Sequence, residues 1–177
     1  MRILLTRGAG TLLALTLGVA AGVLGGCGLE GGARDRTSAS AGPRASTSLT
    51  VVREEYAARL EQGVNNARRD GSLRPLTHDD CAARAATGRA EQLVGVDELT
   101  HRPLDDVLEA CGVTLAAENL SRATRPPQEV VEAWLASAGH AANIRNSEFV
   151  RGAVACEQDG DEAGTPRMVC VQIFLAE

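Results

Sequence analysis

Between residues 50 and 69, "TVVREEYAARLEQGVNNARR", apolar side chains recur at Val52, Tyr56, Leu60, Val64 and Ala67. Steps of three and four lay one apolar stripe along a helix, and Gly71 sits where such a helix stops. The link "SLRPL" leads into an alanine-rich run, "THDDCAARAATGRAEQLVG", suited to close packing against a neighbour. Thr77 with Asp80 three residues on reads as a capping box that starts this second helix, and Gly95 as its end. A short third helix is predicted within residues 99–112, opened by Pro103 and closed by Gly112. "VTLAAENLSRA" is β-branched at first and then polar, which predicts a strand or an extended loop. "RPPQEVVEAWLASAG" predicts a fourth helix, with Pro126 or Pro127 and Glu129 in its first turn. Val130, Val131, Trp134 and Leu135 form its apolar stripe, and His140 falls at its end. The period then changes. "FVRGAVAC", a turn-rich "EQDGDEAGTPR" and "MVCVQIFLAE" predict two strands of one hairpin. Helices first and a terminal antiparallel hairpin imply a layered α+β domain.

The beginning of the chain follows none of these patterns. Arg2 and Arg7 precede an apolar run, "TLLALTLGVAAGVL", that is short for a roughly 30 Å hydrocarbon layer and reads as an export signal. Its ending, "LGGC" at residues 24–27, resembles the bacterial lipobox. That resemblance implies cleavage before Cys27 and a diacylglyceryl thioether on its sulfur, holding the protein on a membrane. Residues 28–48 are mostly Gly, Ala, Ser, Thr and Arg, with almost nothing to bury, and read as a flexible tether. The expected organisation is therefore a lipoprotein signal at 1–26, a lipidated cysteine and tether at 27–48, and one domain at 49–177.

Composition narrows the options. The 177 residues include five cysteines, and the four beyond Cys27 (Cys81, Cys111, Cys156 and Cys170) imply two disulfides in an exported chain. Three connectivities are open. Cys156 with Cys170 would clamp the hairpin and Cys81 with Cys111 would tie the second helix to the third, which is the preferred pairing. No CxxC pair suggests a zinc finger. The net charge of −5, with 18 basic against 23 acidic residues, argues against a nucleic-acid partner.

Chemistry-bearing residues are few. His78 sits among Asp79 and Asp80 at a helix start, where a solvated surface position is expected. Glu118 lies in "AAENLSR", flanked by small apolar residues, where burial without a partner would be costly. His140, taken by itself, would merely complement a helix C-terminus.

Together, however, these residues fit a known pattern. The chain resembles the bacterial branch of the CAP superfamily, which includes cysteine-rich secretory proteins, antigen 5 and plant pathogenesis-related class 1 proteins. "VNNARRDGSLRPLTHDDCAARAA" is similar to the family's first-helix Asn and Arg, its link and its second helix. His101, "AENL" at 117–120, "EVVEAWLASAGHAANI" and the closing "VQIF" follow in family order. The resemblance implies an α-β-α sandwich, with a short antiparallel sheet between helix layers, and a cavity lined by two histidines and acidic residues. His101 and His140 match the histidines and Glu118 the acid of the Glu-Asn motif. One place departs: where plant and animal members carry an acid three residues after the Trp, this chain has Ser137.

His101, Glu118 and His140 come from three separate segments. Such a set is able to hold a divalent cation, zinc fitting nitrogen-rich ligands better than calcium, with Glu118 either ligating or orienting an imidazole. A hydrogen-bonded network or ligand cavity without an obligatory metal is the competing expectation. Two functions follow. One is a binding module on the outer face of the bacterial membrane, taking a lipid, a cell-wall fragment or a protein ligand in a cavity of His101, Glu118, Ser137 and His140. The other is a metal-assisted hydrolase in that cavity, or a variant with Ser137 as nucleophile and His140 as base.

Overall fold

The structure, a computed structural model, describes residues 42–177, with side chains from residue 52 onward. The expected signal, Cys27 and most of the tether lie outside the described residues.

Helix α1 spans Gly42–Asp70. It takes in residues 42–48, which composition assigned to the tether. Pro43 falls in the first turn, where its missing N–H is no loss, and Ala and Arg extend the helix well. Strand β1 is Thr77–His78, and helix α2 is Asp80–Leu93. The capping box at Thr77 is thus not formed. Asp79 is the cap, its carboxylate accepting from the Ala82 N–H at 2.8 Å. That carboxyl would be raised by burial, but the bond from Ala82 and the Arg151 guanidinium at 2.8 Å outweigh this and hold it below its usual range. Helix α3 (Asp105–Cys111), strand β2 (Ala116–Ala123) and helix α4 (Pro127–Ala136) follow. A separate helix α5, Ala138–Arg145, comes next, and strands β3 (Arg151–Glu162) and β4 (Thr165–Leu175) close the chain.

The sheet runs β1-β3-β4-β2. It is antiparallel except for the two-residue parallel contact of β1 with β3, so it is mixed rather than wholly antiparallel. The polar stretch expected as a long turn is instead strand on both sides of a two-residue turn. Ala163 and Gly164 both take positive φ there, as a tight hairpin on twisted strands requires.

Strict alternation along β4 divides the core. Met168, Cys170 and Phe174 join Leu60 and Val64 of α1, Val130 and Trp134 of α4 and Ile144 of α5 in one cluster. Val169, Val171, Ile173 and Leu175 join Ala82, Ala86 and Ala90 of α2 and Val107 of α3 in another. Helices on both faces of a twisted sheet make the expected α-β-α sandwich. Disulfides join Cys81 to Cys111 and Cys156 to Cys170, the preferred pairing.

Candidate functional site

Three segments meet beyond β2, the strand that forms one edge of the sheet. Glu118 on β2 is buried, its side chain 4% exposed. A carboxylate at that depth stays charged only with partners, and it has two. The Nδ1 of His101, in the loop between α2 and α3, lies 2.8 Å from Oε1. Arg89 of α2 donates from Nη1 to Oε2 at 3.1 Å. Arg89 is itself buried, and its Nη2 donates to the Pro103 carbonyl and to Asp106 Oδ1, both at 2.7 Å. Burial alone would raise the Asp106 carboxyl, but the hydrogen bond and charge of Arg89 bring it below its ordinary value. Because the carboxylate accepts, His101 Nδ1 donates. A neutral His101 ring therefore keeps its lone pair on Nε2.

The second histidine arrives from a different direction. The break between α4 and α5 falls at Ser137, an extended residue, so His140 lies in the first turn of α5 rather than at the end of the Trp134 helix. The sequence "LASAGHAAN" contains no proline or strong turn signal to announce that break. Neighbouring amides fix α5: Asn119 Nδ2 donates to the His140 carbonyl at 3.3 Å, and Asn143 Nδ2 to Asn119 Oδ1 at 2.9 Å. Trp134 Nε1 donates to the Leu120 carbonyl at 2.9 Å and presents its ring edge-on to His140, centroids 6.5 Å apart. The two imidazoles stand 6.3 Å apart, tilted by 58°. Burial, and then the neighbouring His101, lower the His140 pKa from its ordinary value, so the ring is neutral at pH 7.

His140 also faces a groove of about 520 Å³, whose walls include Leu120, Arg125, Trp134, Ser137 and Arg167. Ser137 and His140 thus share a wall, whereas His101 and Glu118 do not line that groove. His78 lies elsewhere, exposed, its Nδ1 3.2 Å from Glu61 Oε1.

The proposed metal set does not fit. Both Glu118 oxygens are engaged by Arg89 and His101, and among the described residues no group of three His, Cys, Asp or Glu is placed to hold an ion. Two imidazoles fall short of the three protein ligands of an open zinc site. Nor does a hydrogen bond join Ser137 to the His140 ring among the described residues. Sequence reasoning missed Arg89, Asn119 and Asn143. Arg89 left a trace: it is a cation on the same α2 face as Ala82, Ala86 and Ala90, and a charge within an alanine stripe asks for a buried counter-charge.

Comparison with known proteins identifies the family and the fold. Residues 62–174 match the family model described as CAP, cysteine-rich secretory protein family. The Uncharacterized protein YkwD of Bacillus subtilis (strain 168) is 26% identical over 144 residues, covering 74% of this chain and 56% of that protein. The chain thus spans little more than half the length of that relative. Among solved structures, an extracellular protein of Bacillus anthracis containing an SCP domain superposes with TM-score 0.60 at 22% identity, over 77% of this chain and 45% of the other. An outer surface protein of Borrelia burgdorferi gives TM-score 0.55 at 19% identity, over 67% of this chain and 90% of the other.

Proposed function

The chain belongs to the CAP family of cysteine-rich secretory proteins, and from that premise we propose that it is an extracytoplasmic binding module. Its ligand is a small amphiphile, of lipid or cell-wall origin, held in the groove beside His140. The observation that carries this reading is the placement of His140. Its ring stands 6.3 Å from that of His101, which pairs with Glu118 and so with Arg89, and it lines a concave surface with Leu120 and Trp134 for an apolar body. Pockets of this kind bind by apolar contact and are oriented by a few fixed polar groups. Location outside the cytoplasm is supported by the two disulfides. It is supported too by the extracellular and outer-surface relatives that share the fold. The "LGGC" motif supports a lipid anchor at Cys27. The hydrolytic reading has less support, since the Glu118 oxygens are engaged by Arg89 and His101 and no hydrogen bond joins Ser137 to the His140 ring among the described residues.

Native mass spectrometry of the full-length chain, followed by denaturation, tests the ligand. A small molecule should be released from the wild type and be absent from a Ser137→Leu, His140→Ala variant. The same molecule retained by the variant would place its site elsewhere and end this reading. For the anchor, a fatty-acid label should enter the chain and be lost with Cys27→Ala.

A further inference from the structure

The pocket accounts for only one edge of the sheet. At the other, β1 covers β3 at two positions, Thr77 opposite Arg151 and His78 opposite Gly152, although β3 runs on to Glu162. Beyond Gly152, β3 has no strand on that side among the described residues. Alternation fixes which backbone groups face outward. The Gly152 carbonyl accepts from the Asp79 N–H at 3.1 Å, and the Val154 N–H donates to Glu61 Oε1 at 2.8 Å, so both residues face away from β4. Cys156, two further on, does the same. It sits opposite Cys170 with Cα atoms 4.1 Å apart, the close spacing of a pair that exchanges no backbone hydrogen bonds. Its N–H and C=O therefore have no backbone partner among the described residues.

Helices α1 and α2 flank this edge without closing over it. Between them runs a groove of about 530 Å³ with Val154–Glu157 along its floor. At roughly 3.3 Å per residue, that floor matches about four residues of an extended guest. The walls are acidic: Glu54 and Glu61 come from α1, Glu91 from α2, and Glu157, at the far end, is paired with Arg53. An adjoining cavity of about 220 Å³ shares Glu61 and His78 with the groove and reaches Gln172. Gln172 is 1% exposed, and its Oε1 has no hydrogen-bond partner among the described residues. A buried acceptor left unpaired is costly, and a donor entering this cavity would satisfy it.

We propose that the open edge of β3 receives an extended peptide segment with basic side chains. The segment adds as a strand, and one Lys or Arg side chain reaches the acceptors of Glu61 and Gln172. Main-chain bonds to the Cys156 N–H and C=O supply affinity, and the flanking charges select the sequence.

The probe is an acetylated, amidated heptapeptide alternating valine and lysine, added to the full-length chain in detergent solution. Binding should slow hydrogen exchange of the Cys156 amide at least tenfold. Affinity should fall at least tenfold when alternate peptide nitrogens are methylated, at least threefold with Glu54→Gln or Glu91→Gln, and entirely when aspartate replaces lysine. Indifference to methylation would mean that no strand is added. Equal binding of the aspartate peptide would remove the charge recognition. Either result, or no binding, overturns the proposal. So does a concentration-dependent dimer that protects the Cys156 amide without peptide, because a second copy would then occupy the edge.

Discussion

Glu118 and Arg89 form a pair that neither can leave without cost, since their side chains are 4% and 7% exposed. Removing one partner strands the other charge in a poorly solvated site. Arg89→Met should destabilise the fold by about 3–5 kcal/mol in denaturant titrations. Adding Glu118→Gln should recover part of that loss, and a double variant no better than the single one would mean the pair is not coupled. His140 gives a prediction in pH. Its pKa lies below the ordinary 6.5, through burial first and then the charge of His101. A histidine with a depressed folded-state pKa holds its proton better unfolded. The stability it contributes is therefore complete above about pH 6.5 and is lost as pH falls toward the folded value. Folding stability of the wild type should thus decline more steeply below pH 6.5 than that of His140→Gln. A nuclear magnetic resonance titration should place the His140 midpoint below that of an exposed histidine, and His101→Ala should move it upward. At this scale the histidines and Glu118 were legible as a family pattern. The cation opposite Glu118 was not, because helical periodicity records which face is buried and not what charge it meets.

Long elements were readable and short ones were not. The stripe of α1 from Tyr56 to Ala67, the alanine face of α2 and the alternation of β4 are periodic over many residues, so each predicts its own buried face, whereas Val52 at the start of the α1 stripe is exposed. The two residues of β1 offer no period, and α5 parts from α4 at Ser137 without a breaker. The polar run in the hairpin looked like a loop because the strands there extend past the core, where polar side chains are as well accommodated as apolar ones. Two residues join these elements at points where substitution should be costly. Arg68, near the end of α1, is 1% exposed and faces carbonyls instead of a carboxylate. Its Nε donates to Arg74, Nη1 to Ile144 and Asn146, and Nη2 to Phe149, at 2.7–2.9 Å. Arg68→Ala would take this donor from the buried carbonyls of Ile144 and Phe149 and from the part-buried ones of Arg74 and Asn146, and should cost about 3 kcal/mol or more in chemical denaturation. Gly152 tolerates no side chain, because a Cβ there would stand 2.4 Å from the Ile173 carbonyl oxygen. Gly152→Ala should force β3 from β4 and lower stability by about 2 kcal/mol or more, with faster amide exchange along both strands. An unchanged exchange pattern would show that the added methyl group is accommodated without parting the strands.

Across the whole domain, the two disulfides have unequal consequences for the pocket. By chain entropy each contributes about 3–4 kcal/mol, the wider loop slightly more, for sequence separations of 30 and 14. Their surroundings differ more than their loops do. Cys156–Cys170 joins residues already held opposite each other by the β3–β4 ladder, on the peptide-edge side of the sheet. Cys81–Cys111 instead ties α2 to α3, and Arg89 bridges the same two elements through Asp106 while also reaching Pro103 in the loop before α3 and Glu118 on β2. The loop carrying His101 lies between those tethers, with Leu99 and Leu104 only partly buried against the second core cluster. Without the α2–α3 bridge, that loop is held by the Arg89 bonds, by His101 on Glu118, Arg102 on Gln92 and Arg122 on the Asp97 carbonyl, and by the packing of Leu99 and Leu104. Paired Cys81→Ala and Cys111→Ala substitutions should therefore speed amide exchange across residues 99–106 and weaken the His101–Glu118 contact, read as a shift of the His101 ring resonances. Paired Cys156→Ala and Cys170→Ala substitutions should lower overall stability by a similar amount yet leave those resonances in place. If both variants disturbed His101 equally, the pocket would be held by the stability of the domain as a whole and not by the α2–α3 bridge.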